Sequence, residues 1–288
     1  MEGLSIIIPV FNKIETTLNC IQSISEANTE SVYEIIIVDN GSSDQTQEVF
    51  ERDMNVIPAK AGIQKKGLDP PVKPENDALR NDKHPGTITY IRNPENLGVS
   101  RALNIGAAAS RHSILCFMHN DVIVHKKNWT LSIAEFINNN PNAGVVGFYG
   151  AKTIREDGSF RGKSIVHSKK GSPSMSKPFD AVAVVDGMLM AMKKSVFEKV
   201  RGFADEFIVH FYDKDISLKA IKGKFENYVL NVPFEHMCAA TRTAIKDDDR
   251  IRDEAKEKFL EIWAEALPVD VTTWQEKIRY IGKRKRAD

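Results

Sequence analysis

Four short strand-like runs, at residues 4–10, 33–38, 87–91 and 113–118, alternate with stretches of helical spacing. Few other features constrain the fold as much. The runs over 4–10 and 113–118 are apolar nearly throughout rather than alternating, the pattern of an interior parallel strand covered on both faces. Between the first two runs, Ile14, Leu18, Ile21 and Ile24 recur at helical intervals, and helices are expected again from about Asp44 to Arg52 and from Val99 to Ser110. Ser42 or Ser43 is placed to cap the second of these. Strand and helix in strict alternation specify an α/β fold with a parallel sheet, and right-handed crossovers put helices on both of its faces. In such sheets ligands collect at the carboxyl ends of the strands.

Two strand ends carry polar groups in that position. One is Val38-Asp39-Asn40-Gly41-Ser42-Ser43-Asp44, and the other is His119-Asn120-Asp121-Val122, directly after 113–118. Asp39 suits a turn or cap, or contact with a nucleotide's base and ribose, with Pro9, Phe11 and Asn12 at the end of the first run. Asp121 suits a helix cap or, as a hard oxygen ligand, a divalent ion at a diphosphate. His236 offers an imidazole from a later strand end, although a lone histidine also serves as an ordinary surface or internal residue. Asn96, Gly98 and Arg101 sit where a helix begins and free amides favour an anion. Asp213 and Asp215 are spaced by two at a helix start, on different sides, so one can face a site as a general base while the other orders a neighbour.

Beyond Asp121 the pattern is mixed. A helix is expected around Trp129, Ile133, Phe136 and Ile137, a strand over 144–149, and an excursion over 153–166 turning at Glu156-Asp157-Gly158. A loop follows at 171–176, then an apolar stretch over 182–192 with Asp186-Gly187 in its middle, a short helix over 194–200, a strand over 225–232, and helices over 251–265 and 270–281.

A chain of 288 residues with 42% hydrophobic content can bury a full core. The formal charge of +1 excludes bulk electrostatic capture of nucleic acid. Cys20, Cys116 and Cys238 are few and odd in number, which fits a reduced, cytoplasmic compartment better than a disulfide scaffold. No run reaches the roughly 18 apolar residues of a membrane span, and no signal peptide is expected before the first strand. The tail Lys283-Arg284-Lys285-Arg286 is either a solvated terminus or a peripheral contact with an anionic surface such as the inner face of a membrane. Residues 53–86 hold five prolines and no sustained periodicity, the composition of a loop-like insert. Within it, Val56 to Gln64 and Asn81-Asp82 resemble the translated form of a mobile palindromic repeat found inside many bacterial reading frames, a tolerated passenger. The expected organisation is a catalytic domain over 1–240, with the insert inside it, and a helical extension with the basic tail over 241–288.

Taken together, IIIPVFN, VDNGSSDQT, NPENLGVSRALNIG, HND, VDGMLMAMKKSVFEKVRGFADEF and FYDKDISLKA resemble the family-2 nucleotide-sugar glycosyltransferases, in particular their rhamnosyltransferase-like branch. The resemblance spans roughly 4–52 and 87–240. It implies a GT-A fold, a mostly parallel Rossmann-like central sheet flanked by helices with a smaller mixed acceptor-side region. It implies inverting transfer of a sugar from a UDP- or dTDP-linked donor to a hydroxyl of a glycan or lipid-linked glycan, dependent on Mn²⁺ or Mg²⁺. By the same resemblance Asp39 binds the base, and Asn120 and Asp121 belong to the DxD motif, with Asp121 and His236 on the metal. Asp213 is the catalytic base, and Asp186 and Gly187 line the acceptor side. Two positions depart from the family pattern: His119 stands where the motif's first aspartate is usual, and Tyr212 replaces the glutamate before the base. A noncatalytic sugar-nucleotide binding protein and a nucleotidyltransferase are the alternatives. The sequence leaves the sugar, the acceptor and the oligomeric state open.

Overall fold

The computed structural model describes residues 3–53, 86–165, 175–237 and 247–278. Most of the insert, most of the loop over 171–176, Cys238 and the basic tail lie outside these residues.

The first half runs β1 (Leu4–Val10), α1 (Ile14–Ala27), β2 (Tyr33–Asp39), α2 (Thr46–Asp53), β3 (Gly86–Arg92), α3 (Val99–Ala109) and β4 (Ile114–Met118). Then follow β5 (Val122–Val124), α4 (Trp129–Asn139), β6 (Ala143–Gly147), β7 (Tyr149–Ile154), β8 (Phe160–Ile165), β9 (Phe179–Val182), β10 (Val184–Val185) and β11 (Leu189–Lys193). The chain continues through α5 (Lys194–Lys199), α6 (Tyr212–Lys222), β12 (Glu226–Leu230), β13 (Phe234–His236), α7 (Asp248–Trp263) and β14 (Val269–Asp270). The main sheet has eight strands in the order β3-β2-β1-β4-β11-β6-β12-β9. Only β11 and β9 run against the rest. A smaller sheet joins β10, β7, β14 and β8, and β5 pairs with β13. A mostly parallel central sheet flanked by helices, with a smaller sheet beside it, is consistent with the GT-A fold.

The continuous apolar runs are explained by two cores, one on each face of the main sheet. Successive side chains of a strand point to opposite faces. Ile6, Ile8, Ile35, Ile37, Cys116 and Met118 accordingly enter one core, and Ile7, Ile36, Val38, Leu115 and Phe117 the other. Helix α3 lies close on the second face because Gly106 carries no side chain: a Cβ there would stand 2.3 Å from Ile7.

Three local expectations need correction. Neither Ser42 nor Ser43 caps α2. Asp44 does so, its Oδ1 accepting from the Thr46 amide at 3.0 Å, because Ser42 is engaged by Asn12 and Asp39 instead. The single strand expected over 144–149 is two strands, β6 in the main sheet and β7 in the small one, with Phe148 fully buried between them. The apolar stretch over 182–192 is likewise broken at Asp186-Gly187 into β10 and β11. Apolar composition is the same on both sides of each break, so it carried no sign of the change of sheet.

Helix α7 joins the second core through Ala255, Phe259 and Trp263. The Trp263 indole donates to the buried Asp215 carboxylate at 3.0 Å, and Lys219 pairs with that group at 2.7 Å. Among the described residues no helix is long and apolar enough to cross a membrane.

Asp215→Ala removes the acceptor of a buried indole N–H and should lower stability by about 1–3 kcal/mol. Chemical denaturation checks this; an unchanged midpoint would mean that the contact does not anchor α7.

Candidate functional site

The strand order sets β1 between β2 and β4, so the carboxyl ends of these parallel strands lie side by side. Past β4, the amide of His119 donates to the Met188 carbonyl at 2.9 Å, which ties this strand end to the Asp186-Gly187-Met188 turn entering β11. Asp121 follows, and β5 then pairs antiparallel with β13 in the register His236 opposite Val122. The Met237 amide donates to the Asp121 carbonyl at 3.0 Å. This pairing delivers a side chain from 115 residues away, and His236 Nε2 stands 3.2 Å from Asp121 Oδ1.

His119, Asp121 and His236 each offer one ligand atom, all within 4.8 Å of one another. Burial raises the Asp121 pKa, but the hydrogen bond from His236 and the fields of His236 and His119 outweigh it and hold the carboxyl below its usual range. A donor set of two imidazoles and one carboxylate suits a divalent transition-metal ion, Mn²⁺ included, better than Mg²⁺, which prefers oxygen ligands. The sequence alone assigns His119 no role; in the fold it is a full member of the cluster.

Helix α6 approaches from the other side. It starts at Tyr212, after Phe211 in a left-handed conformation (φ 66°). The Tyr212 hydroxyl is 2.8 Å from His119 Nε2 and donates to the Gly187 carbonyl at 3.3 Å. Burial, with the fields of Asp213, Asp186 and Asp121, pushes its pKa well above the ordinary phenol value. Asp213 accepts from the Gly187 amide through Oδ2 at 3.3 Å and from the Lys214 amide through Oδ1 at 2.9 Å. Burial raises its pKa, and the Lys214 charge offsets that only in part. Gly187 thus touches both the phenol and the carboxylate. Asp186 turns its Oδ1 to the Met188 amide at 3.0 Å and shapes the turn.

The β2 end forms a second polar cluster. Asp39 is fully buried, with Oδ1 accepting from the Ser42 amide at 2.8 Å and Oδ2 from Tyr90 at 2.6 Å and from Arg92. Arg92 retains 29% of its side-chain exposure, so the guanidinium reaches the surface where the carboxylate does not. Tyr90 and Arg92 were missed in the sequence; their spacing of two on β3 puts both on Asp39's side, and the register sets Arg92 opposite Asp39.

Several candidate binding residues shape backbone here. Asn12 accepts from the Ser43 amide at 2.8 Å, next to the exposed Phe11 and the half-buried Pro9. Asn96 accepts from the Gly98 amide at 3.0 Å, and Asn40 bridges Asn93, Asn96 and Gly98. Gly98 has φ +82°, and a Cβ on it would meet Ile208 at 2.7 Å. Arg101 pairs with Asp205 at 3.1 Å, and Asn120 donates to Thr17 at 2.9 Å.

A family described as "Glycosyltransferase like family" matches residues 87–263, more than half of the chain, and "Glycosyl transferase family 2" matches residues 5–66. The chain belongs to the glycosyltransferase-like family. Glycosyltransferase AglE of Haloferax volcanii is 43% identical over 47 residues, 16% of each chain. Three solved structures share the fold. The mannosyltransferase PcManGT of Pyrobaculum calidifontis, in complex with GDP-Man and Mn²⁺, has a TM-score of 0.54 at 15% identity, over 84% of this chain and 59% of that one. GalNAc-T7 with UDP, GalNAc and Mn²⁺ gives 0.59 at 12%, over 82% and 44%. TarS 1–349 of S. aureus gives 0.52 at 13%, over 80% and 58%. The chain therefore spans well under two thirds of the length of each of these relatives.

Asp39→Ala strips the buried Tyr90 hydroxyl and Arg92 of their acceptor and should cost about 3 kcal/mol of stability. Thermal melting tests it, and titration with UDP or dTDP on the folded fraction should show weakened binding. An unchanged melting point would mean that these contacts do not stabilise the strand end, and unchanged UDP and dTDP affinity that Asp39 does not take part in nucleotide binding.

Proposed function

We propose that this protein transfers a sugar from a nucleoside diphosphate sugar, UDP- or dTDP-linked, to a hydroxyl of a glycan or lipid-linked glycan, with inversion at the anomeric carbon and dependence on Mn²⁺ or Mg²⁺. The reading is carried by the contact chain that runs from the His119, Asp121 and His236 cluster through Tyr212 and Gly187 to the desolvated carboxylate of Asp213. Family membership supports it, as does the Mn²⁺ in the complexes of PcManGT and GalNAc-T7. The rhamnosyltransferase-like branch is a finer proposal supported by the sequence motifs alone. Work in the cytoplasm at the inner face of a membrane is proposed from the cysteine usage and the basic tail.

Asp121, His236 and His119 would hold the ion, which when bound neutralises charge on the departing diphosphate. Asp213 takes the proton of the acceptor hydroxyl as that oxygen bonds to the anomeric carbon. The bond from this carbon to the diphosphate oxygen breaks, and its electron pair leaves with the nucleoside diphosphate. For this the carboxylate must come within about 3 Å of the acceptor oxygen. The amides of Gly187 and Lys214 fix its orientation, and desolvation makes it a stronger base than a surface carboxylate.

A screen of nucleotide sugars, GDP-linked donors included, for Mn²⁺-dependent transfer or hydrolysis tests the proposal. Binding without turnover across acceptors would return the noncatalytic alternative, and pyrophosphate release from a nucleoside triphosphate the nucleotidyltransferase. Asp213→Asn should retain nucleotide binding and lose about 10²–10⁴-fold in transfer. Because the Asp213 pKa is raised, wild-type turnover should fall with decreasing pH through a limb above the ordinary carboxylate range. That limb should vanish in the residual activity of Asp213→Asn. A limb unchanged by the substitution would assign the base elsewhere.

A further inference from the structure

The two positions that depart from the family pattern touch each other. By the resemblance to family-2 glycosyltransferases, His119 stands where an aspartate is usual and Tyr212 where a glutamate is usual, and their side chains meet at 2.8 Å although 93 residues separate them. From this geometry we propose that Tyr212 is a positioning residue that presents His119 as the third ligand of the metal centre, so that the two replacements form one functional unit. The inference rests on the metal-centre reading above and adds to it the residue that orients one of the ligands.

The contact geometry accommodates the assignment. The Tyr212 hydroxyl has a single proton and two neighbours able to accept it, the Gly187 carbonyl at 3.3 Å and His119 Nε2 at 2.8 Å. In the proposed arrangement that proton goes to the carbonyl, and His119 Nε2 carries the ring proton and donates to the phenol oxygen. The lone pair resides on Nδ1, in a ring whose centroid lies 5.5 Å from that of His236. A ligating histidine commonly gives its other N–H to such an outer partner, which sets both tautomer and orientation. An aspartate at 119 would need no such partner, and a glutamate at 212 would bring a further buried negative charge. Gly187 completes the device: a Cβ at this position would stand 2.2 Å from the Tyr212 oxygen, so only glycine lets the phenol reach both the carbonyl and the imidazole.

One consequence is metal choice. Two imidazoles and a carboxylate favour Mn²⁺ over Mg²⁺ more strongly than one imidazole and two carboxylates.

The test is Mn²⁺ binding to the full chain by calorimetry at fixed pH, with pulsed electron paramagnetic resonance to count coupled imidazole nitrogens. Wild type should show two imidazoles and His119→Asp one, with a smaller preference for Mn²⁺ over Mg²⁺. Tyr212→Phe should weaken Mn²⁺ binding about 10–100-fold, the usual effect of losing an outer partner. In the His119→Asp background the same substitution should change affinity by no more than about twofold, because the contact is already gone. Gly187→Ala, which displaces the hydroxyl and leaves Tyr212 in place, should repeat this pattern and serves if Tyr212→Phe does not fold. Equal losses in both backgrounds would overturn the positioning role. One imidazole in wild type would overturn the inference and leave Asp121 and His236 as the metal ligands. No Mn²⁺ uptake by wild type would overturn the metal centre and the inference with it.

Discussion

The antiparallel pairing of β5 with β13 is the interaction on which the site depends. Asp121 lies immediately before β5, and the backbone register that sets His236 opposite Val122 makes the histidine and the carboxylate neighbours. A strand register is fixed by its backbone ladder, and a shift of one residue would turn His236 to the opposite face. The bonds are few, but Phe234 is buried in the first core beside Val122 and Val124, so core packing as well as hydrogen bonding holds the register. The β4–β11 pairing performs the same service on the other side, bringing the Asp186-Gly187 turn beneath His119 and Tyr212.

The sheet was legible in the sequence because its interior strands β1, β2 and β4 are buried on both faces and its strands alternate with helical spacing. The runs over 4–10, 33–38, 87–91 and 113–118 correspond to β1, β2, β3 and β4 within a residue at either end. The breaks at Phe148 and at Asp186-Gly187 were not legible, since a strand leaving one sheet for another keeps its apolar composition. Among site residues, Asp121 and His236 were named from their strand ends and family resemblance, but their contact comes from a strand pairing that no local pattern announces. Arg92 and Tyr90 could have been noticed by their spacing of two on a strand next to Asp39. His119 was harder, because a histidine in place of an acidic residue signals a function only once its partners are seen.

Asp213 and Asp215 show how a spacing of two separates roles. On a helix, residues two apart point to nearly opposite sides. Asp213 therefore faces Gly187 and the site, while Asp215 faces Trp263 and anchors α7. Burial raises the pKa of both carboxyls, and what distinguishes them is geometry. Asp215 is almost fully enclosed, with a lysine and an indole as partners, whereas Asp213 keeps partial exposure and is oriented by two backbone amides.

The central claim is that His119, Asp121 and His236 form the metal centre of a nucleotide-sugar site. Anomalous scattering at the manganese edge, from crystals grown with Mn²⁺ and UDP, tests it most directly. The account predicts one strong peak among these three side chains, in contact with the diphosphate. A peak elsewhere, or a diphosphate bound away from this strand end, would contradict it.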